Sequence, residues 1–127
     1  MAKTKSTVVT NTYQSSTDQS AETAENRFQK FAGGKIEQND GAGAKVFGVL
    51  MDNPGVDEFG VVAHAGIVQV RAGAAVAVDT PIMSDATGRA IVATIGLLTV
   101  GRTLDEAAAA AGELITILLF ASDDLTP

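Results

Sequence analysis

Gly60 to Ala93 reads GVVAHAGIVQVRAGAAVAVDTPIMSDATGRAIVA, and the fold is decided by how this stretch is read. Val61 and Val62 open an apolar run, Gly66 breaks it, and Ile67-Val68-Gln69-Val70-Arg71 follows. Side chains alternate along an extended chain, so Ile67 and Gln69 share one face and Val68 and Val70 the other. β-branched residues dominate, as a half-buried pleated surface favours. Ala72-Gly73-Ala74 interrupts, and Val76 and Val78 then alternate with alanine. Asp79-Thr80-Pro81 ends that segment, because proline cannot donate to a central ladder. Ser84-Asp85-Ala86-Thr87-Gly88-Arg89 has Asp at its start and Gly near its end, the chemistry of a tight turn. Ile91 and Val92 re-enter the core. Three or four short strands at close spacing predict an all-β fold, a small β-barrel or β-sandwich with at most one short helix.

Working outward, Arg27 to Phe31 and Lys35 to Gln38 read as a hairpin closed by Gly33-Gly34. Val46 to Met51 reads as a buried strand, ended by the turn signal Asp52-Asn53-Pro54-Gly55. Leu97 to Val100, between two glycines, reads as another. Glu113 to Phe120, ELITILLF, is the strongest strand pattern and is expected to be central. Thr103 to Gly112 is ambiguous. Thr103 and Glu106 have capping-box spacing and five alanines favour helix, but ten residues are few for a helix on its own. The expectation is a strand ending near Leu104, then a turn or two of helix or a loop.

Residues 1–26 differ from everything after them, being rich in Ser, Thr, Gln and Asn. Such a stretch cannot bury enough apolar surface to fold alone. It reads as an extended polar arm before a body at 27–121 and an acidic tail at 122–127. Within the arm, Thr7, Val8, Val9 and Thr10 can add a strand to another chain's sheet edge, with Tyr13 as the one large anchor. The other reading folds the arm back on its own domain.

The chain has 127 residues and a formal charge of −6, with its nine basic residues scattered. One domain is expected, and no basic stripe marks a nucleic-acid surface. The hydrophobic fraction of 46% is largely alanine, with no Trp, so the core is expected to be thin and assembly to add to its stability. No cysteine is present, which excludes disulfides and thiolate metal sites and fits a chain made in a reducing cytoplasm. No apolar run is long enough to span a bilayer as a helix, and the N-terminus does not read as a signal peptide.

No constellation for catalysis, cofactor or metal emerges. His64 is the sole histidine and lies in an apolar strand, so it reads as structural. Asp79 and Asp85 sit in turn contexts, where Asp accepts from backbone N–H groups. Gly33-Gly34 and Asp40-Gly41-Ala42-Gly43 match no phosphate-binding loop. The expectation is a protein that is not an enzyme.

A series of short motifs carries a family resemblance. They are Arg27-Phe28 with Gly34-Lys35-Ile36, Val46-Phe47-Gly48-Val49-Leu50, Ala65-Gly66-Ile67-Val68-Gln69-Val70 and Ala72-Gly73-Ala74-Ala75-Val76. Ser84 to Ala90, Gly101 to Ala107 and Gly112-Glu113-Leu114-Ile115 complete the series. In order and spacing the stretch from Arg27 to Phe120 resembles the small alanine- and glycine-rich capsid decoration, or cement, proteins of tailed phages. The resemblance implies a β body on the outer surface of an icosahedral head, in contact with the major capsid protein and with neighbouring copies of itself, as a homotrimer. It implies no cofactor, no direct nucleic-acid partner and no membrane. A tail, baseplate or minor capsid component is the second reading, and a soluble ligand-binding β module the third.

Overall fold

A computed structural model describes residues 8–104, 107–108 and 110–120. Among the described residues nine strands form one antiparallel sheet: β1 Val8–Gln14, β2 Phe28–Ala32, β3 Lys35–Gln38, β4 Gly48–Leu50, β5 Phe59–Arg71, β6 Pro81–Ser84, β7 Ala90–Val92, β8 Gly101–Thr103 and β9 Leu114–Leu119. Their order is β3-β2-β4-β5-β9-β8-β6-β7, with β1 also on β5. The sheet curls into a half-barrel. The expected all-β fold is thus the observed one. Among the described residues the sole helical element is a 3₁₀ turn at Glu22–Ala24.

β5 organises the sheet. Gly66 does not end it: the strand runs on through that residue for 13 residues, with Gly66 at φ 109°. Ala63 pairs with Thr10 of β1 and with Val49 of β4, so these strands flank β5 on opposite edges. Further along, Gly66 to Arg71 pair with Leu119 to Leu114 of β9. The register with β1 slips by one residue, since Val9 faces Ala65 but Thr10 faces Ala63, leaving His64 as the bulged residue. A bulge reverses the inside-outside alternation beyond it. Val62 accordingly packs with Leu50 and Ile36 on one face, whereas Ala63, Val68 and Val70 join the larger core on the other. That larger core also holds Phe28, Val49, Ile82, Ile115, Ile117 and Leu119. Val68 and Val70 are buried and Gln69 exposed, as strand alternation predicts.

The turn chemistry holds. Gly33 and Gly34, at φ 61° and 81°, close the β2–β3 hairpin, and positive φ at both central residues is what a two-residue hairpin loop requires. In the β6–β7 turn, Asp85 Oδ1 accepts from the N–H groups of Thr87 and Arg89, both at 2.9 Å.

Other expectations shift. The strand expected at Leu97–Val100 falls instead at Gly101–Thr103, because Gly96 at φ 87° and the Leu97 N–H to Thr94 carbonyl bond make a turn there. Val76 and Val78 form no strand; Val76 only exchanges two backbone hydrogen bonds with Ala108. That exchange holds Ala108 extended in the segment where a short helix was one alternative. The Thr103 hydroxyl donates to Ala77 O and accepts from Thr80 N, tying β8 down. Asp105, Glu106 and Ala109 lie outside the described residues. β9 is central, between β5 and β8, as expected.

The polar N-terminal stretch takes the second of its two readings over the described residues: Val8 to Gln14 pair along β5 of their own chain. The physical reason is that β5 offers a long unpaired edge, which lets a polar segment gain ladder hydrogen bonds without a core of its own. The following residues are also built in. Ser15 and Gln19 are buried, and Gln19 Nε2 donates to Gln29 Oε1 at 2.8 Å.

Candidate interaction surface

β1 supplies the first feature. Among the described residues it pairs on one edge only, with β5. Residues 9 to 12 are exposed, and Val9 is 52% exposed. Ser15 N–H bonds to Glu58 O on the β5 side. N–H directions alternate along a strand, so the N–H groups of Thr12 and Thr10 point away from β5. The sequence VVTNTYQ contains no proline or lysine, the residues that usually blunt such an edge. Of the residues expected to contact a capsid, Val8, Val9 and Thr10 lie on this strand, Tyr13 turns inward, and Thr7 lies outside the described residues.

Tyr13 enters an aromatic cluster beside this edge. Its hydroxyl lies 2.8 Å from His64 Nε2, and His64 Nδ1 lies 3.1 Å from the Phe47 carbonyl oxygen. A carbonyl can only accept, so Nδ1 donates to Phe47 while Nε2 meets the Tyr13 hydroxyl. Phe31 stacks on Phe47 with centroids 4.5 Å apart, and Tyr13 meets both edge-on. A cleft of about 340 Å³ opens beside the stack, lined by Lys30, Phe31, Lys45, Val46 and Phe47. The bulge at His64 re-aims its ring into the cluster. His64 thus makes two hydrogen bonds inside the cluster.

Several charged groups pair with one another. Asp79 lies 3.0 Å from Arg102, and Asp85 lies 3.2 Å from Arg89, so the two aspartates belong to separate ion pairs. Burial pushes the Asp85 carboxyl up. The N–H groups of Arg89 and Thr87, the Thr87 hydroxyl and the Arg89 charge outweigh it and hold the group below the usual carboxylate range. Lys30 reaches Glu37 and Asp40 at 3.2 and 3.0 Å, and its hydrogen bonds, Asp40 first, raise its pKa. Among the described residues no group of three or more His, Cys, Asp or Glu side chains is placed to hold a metal ion.

Phe31, Phe47 and His64 were not legible as a unit. They lie on β2, before β4 and on β5, and only the β2–β4–β5 pairing and the bulge bring them together.

The architecture has a solved counterpart. The fold is similar to the N base of the head fiber gp8.5 of bacteriophage phi29. The TM-score is 0.70, and the match covers 91% of this chain and 97% of that one, at 19% identity. At that identity the likeness establishes a shared fold. No protein-family model and no curated protein matches the sequence.

Proposed function

We propose that this protein is a structural component of a tailed-phage head, seated on the outer surface of the capsid, where it cements neighbouring major capsid subunits. The observation that carries the reading is the near-complete fold match to the base of a phage head fibre, reached from a sequence whose motif order independently resembles head decoration proteins. The open edge of β1 suits the role. A strand of the capsid protein added there would gain main-chain hydrogen bonds, while Val9 near one end of β1 and Phe59, 65% exposed and paired with Gln14 at the other, would supply apolar contact. Such a role needs no active site.

A second reading follows from the same match: a base that seats on the head without bridging subunits. One experiment separates the two. Purified protein is added to expanded, undecorated shells, and shell survival is followed on heating. Saturable binding with a higher melting temperature of the shell supports cementing. Saturable binding with unchanged shell stability supports a seat alone. No binding to intact shells overturns both.

A further inference from the structure

The outer edge of β1 is closed at one end and open along the rest. Just past the strand, Ser16 donates its N–H to the Ile36 carbonyl at 2.9 Å, and Ser15 forms a parallel bridge with Ile36 of β3. In that parallel register Gln14 stands opposite Lys35 and Tyr13 opposite Gly34, where the hairpin turns away into β2. From Val8 to Tyr13 no segment among the described residues pairs with the outer edge. At about 3.4 Å per residue, the gap beyond the hairpin turn accepts a strand of about six residues.

Strand alternation decides what such a strand meets. Val9, Asn11 and Tyr13 share one face of β1, and Thr10 and Thr12 share the other. Tyr13 turns toward the body and meets Phe31 edge-on, with ring centroids 5.7 Å apart. Phe31 lies at the hairpin end of β2 and stays 46% exposed although Tyr13 and Phe47 both pack on it. Because Gly34 already stands opposite Tyr13, Asn11 is the first position on the Tyr13 face that an added strand can oppose. Asn11 is itself exposed. A residue paired with Asn11 lies diagonally about 7–8 Å from Tyr13, a span that long and aromatic side chains bridge.

We infer that the capsid segment docking on β1 carries a large apolar side chain opposite Asn11, which folds over the exposed ring of Phe31, and that this contact selects the segment. This specificity rests on the reading of β1 as the capsid-docking edge and names what that edge recognises: an extended segment with one Leu-, Met- or Phe-type anchor among polar neighbours. Main-chain hydrogen bonds to Thr10 and Thr12 are blind to sequence, so selection falls to the side chains on alternate positions. On the opposite face Thr10 and Thr12 are exposed, and polar partners suit them. Phe31 is thus the specificity-determining residue, with Tyr13 holding its ring from the β1 side.

The test titrates the full chain with two blocked hexapeptides, one of threonine with Leu at its third position and one with Ser there. The readout is the backbone N–H resonances of Thr10 and Thr12 together with the ring resonances of Phe31. The Leu peptide is expected to shift both groups and to bind about tenfold tighter than the Ser peptide. Phe31→Ala is expected to erase that preference and Phe31→Leu to keep most of it, a comparison made within each variant and so independent of its stability. Equal binding of the two peptides, or no shift at all, overturns the anchor. Shifts at Phe31 without Thr10 and Thr12 overturn its coupling to the β1 edge. The same shifts on concentrating the chain alone make a second copy the occupant and overturn the assignment to the capsid. Undecorated shells run in parallel separate the two readings: shells that bind a chain showing no peptide preference strike the anchor alone, and a peptide preference without shell binding strikes the capsid reading alone.

Discussion

The hydroxyl of Tyr13 lies 2.8 Å from Nε2 of His64, joining the first strand to the bulge of the fifth across 51 positions of sequence. The bond ties the polar N-terminal stretch to the body at the one point where the alternation of β5 reverses. Tyr13→Phe keeps the ring contacts with Phe31 and Phe47 and removes only this hydrogen bond. The expected loss is about 1 kcal/mol, read from urea unfolding. An unchanged midpoint would mean that the aromatic packing alone fixes β1.

Removing residues 2–14 takes away the whole of β1. It bares the β5 edge and uncovers the small cluster of Ile36, Leu50 and Val62, against which Tyr13 packs. The expected destabilisation is on the order of 3 kcal/mol, a large part of a small domain's margin. Thermal unfolding followed by circular dichroism checks it; a truncated chain with the original melting temperature would restore the picture of a detachable arm.

Thr12→Pro separates folding from docking. The N–H it removes points away from β5, and proline is tolerated at such edge positions. The β1–β5 ladder should survive within about 1 kcal/mol, while any strand added to the outer edge loses a donor and meets the ring. Binding to undecorated shells should fall at least tenfold if β1 is the docking edge, and should be unchanged if another face docks.

Gly48→Ala tests the closeness of β4 and β5. A Cβ at Gly48 would run into the Ala63 carbonyl oxygen and Cγ1 of Val62. Backbone on both strands must shift, so the expected loss is about 2 kcal/mol or more. Gly34→Ala meets no atom within 4 Å, but it is strained by its φ of 81°. Its expected loss is about 1 kcal/mol, which denaturant titration of the pair would rank.

Asp85 gives the pH dependence a sign. Its carboxyl is held below the usual range in the folded chain. The unfolded chain therefore binds its proton first as pH falls, near a pKa of about 3.9. The stability it contributes is complete above that value and drains away as pH drops through the folded pKa. Asp85→Asn is expected to lower stability at pH 7 and to flatten the fall in stability below about pH 4. Parallel wild-type and variant slopes in that range would remove Asp85 as the cause.

How much was legible differs from element to element. The Gly33-Gly34 and Asp85–Arg89 turns could be read directly, because positive φ and Asx hydrogen bonding are properties of a few adjacent residues. β9 could be read because ELITILLF has the pattern of a buried strand and no competing helix signal. Leu97–Val100 misled, since apolar residues also fill a core from a turn, as buried Val100 does. The alanine run misled less, because strand-like pairing with Val76 competes with helix propensity on even terms in so short a segment.

By itself, the sequence determined that this is a small all-β chain, where its tight turns fall, and that its strands alternate between a core and an exposed face. Those are consequences of local steric preference and hydrophobic period. Only the tertiary structure decided that β1 closes on β5, that the bulge at His64 sends Val62 and Val68 to opposite faces, and that Arg27 and Arg89 meet at Thr87. Each of these depends on which strand edges pair and in what register. That choice is set by burial summed over the whole sheet, and no single stretch of residues encodes it.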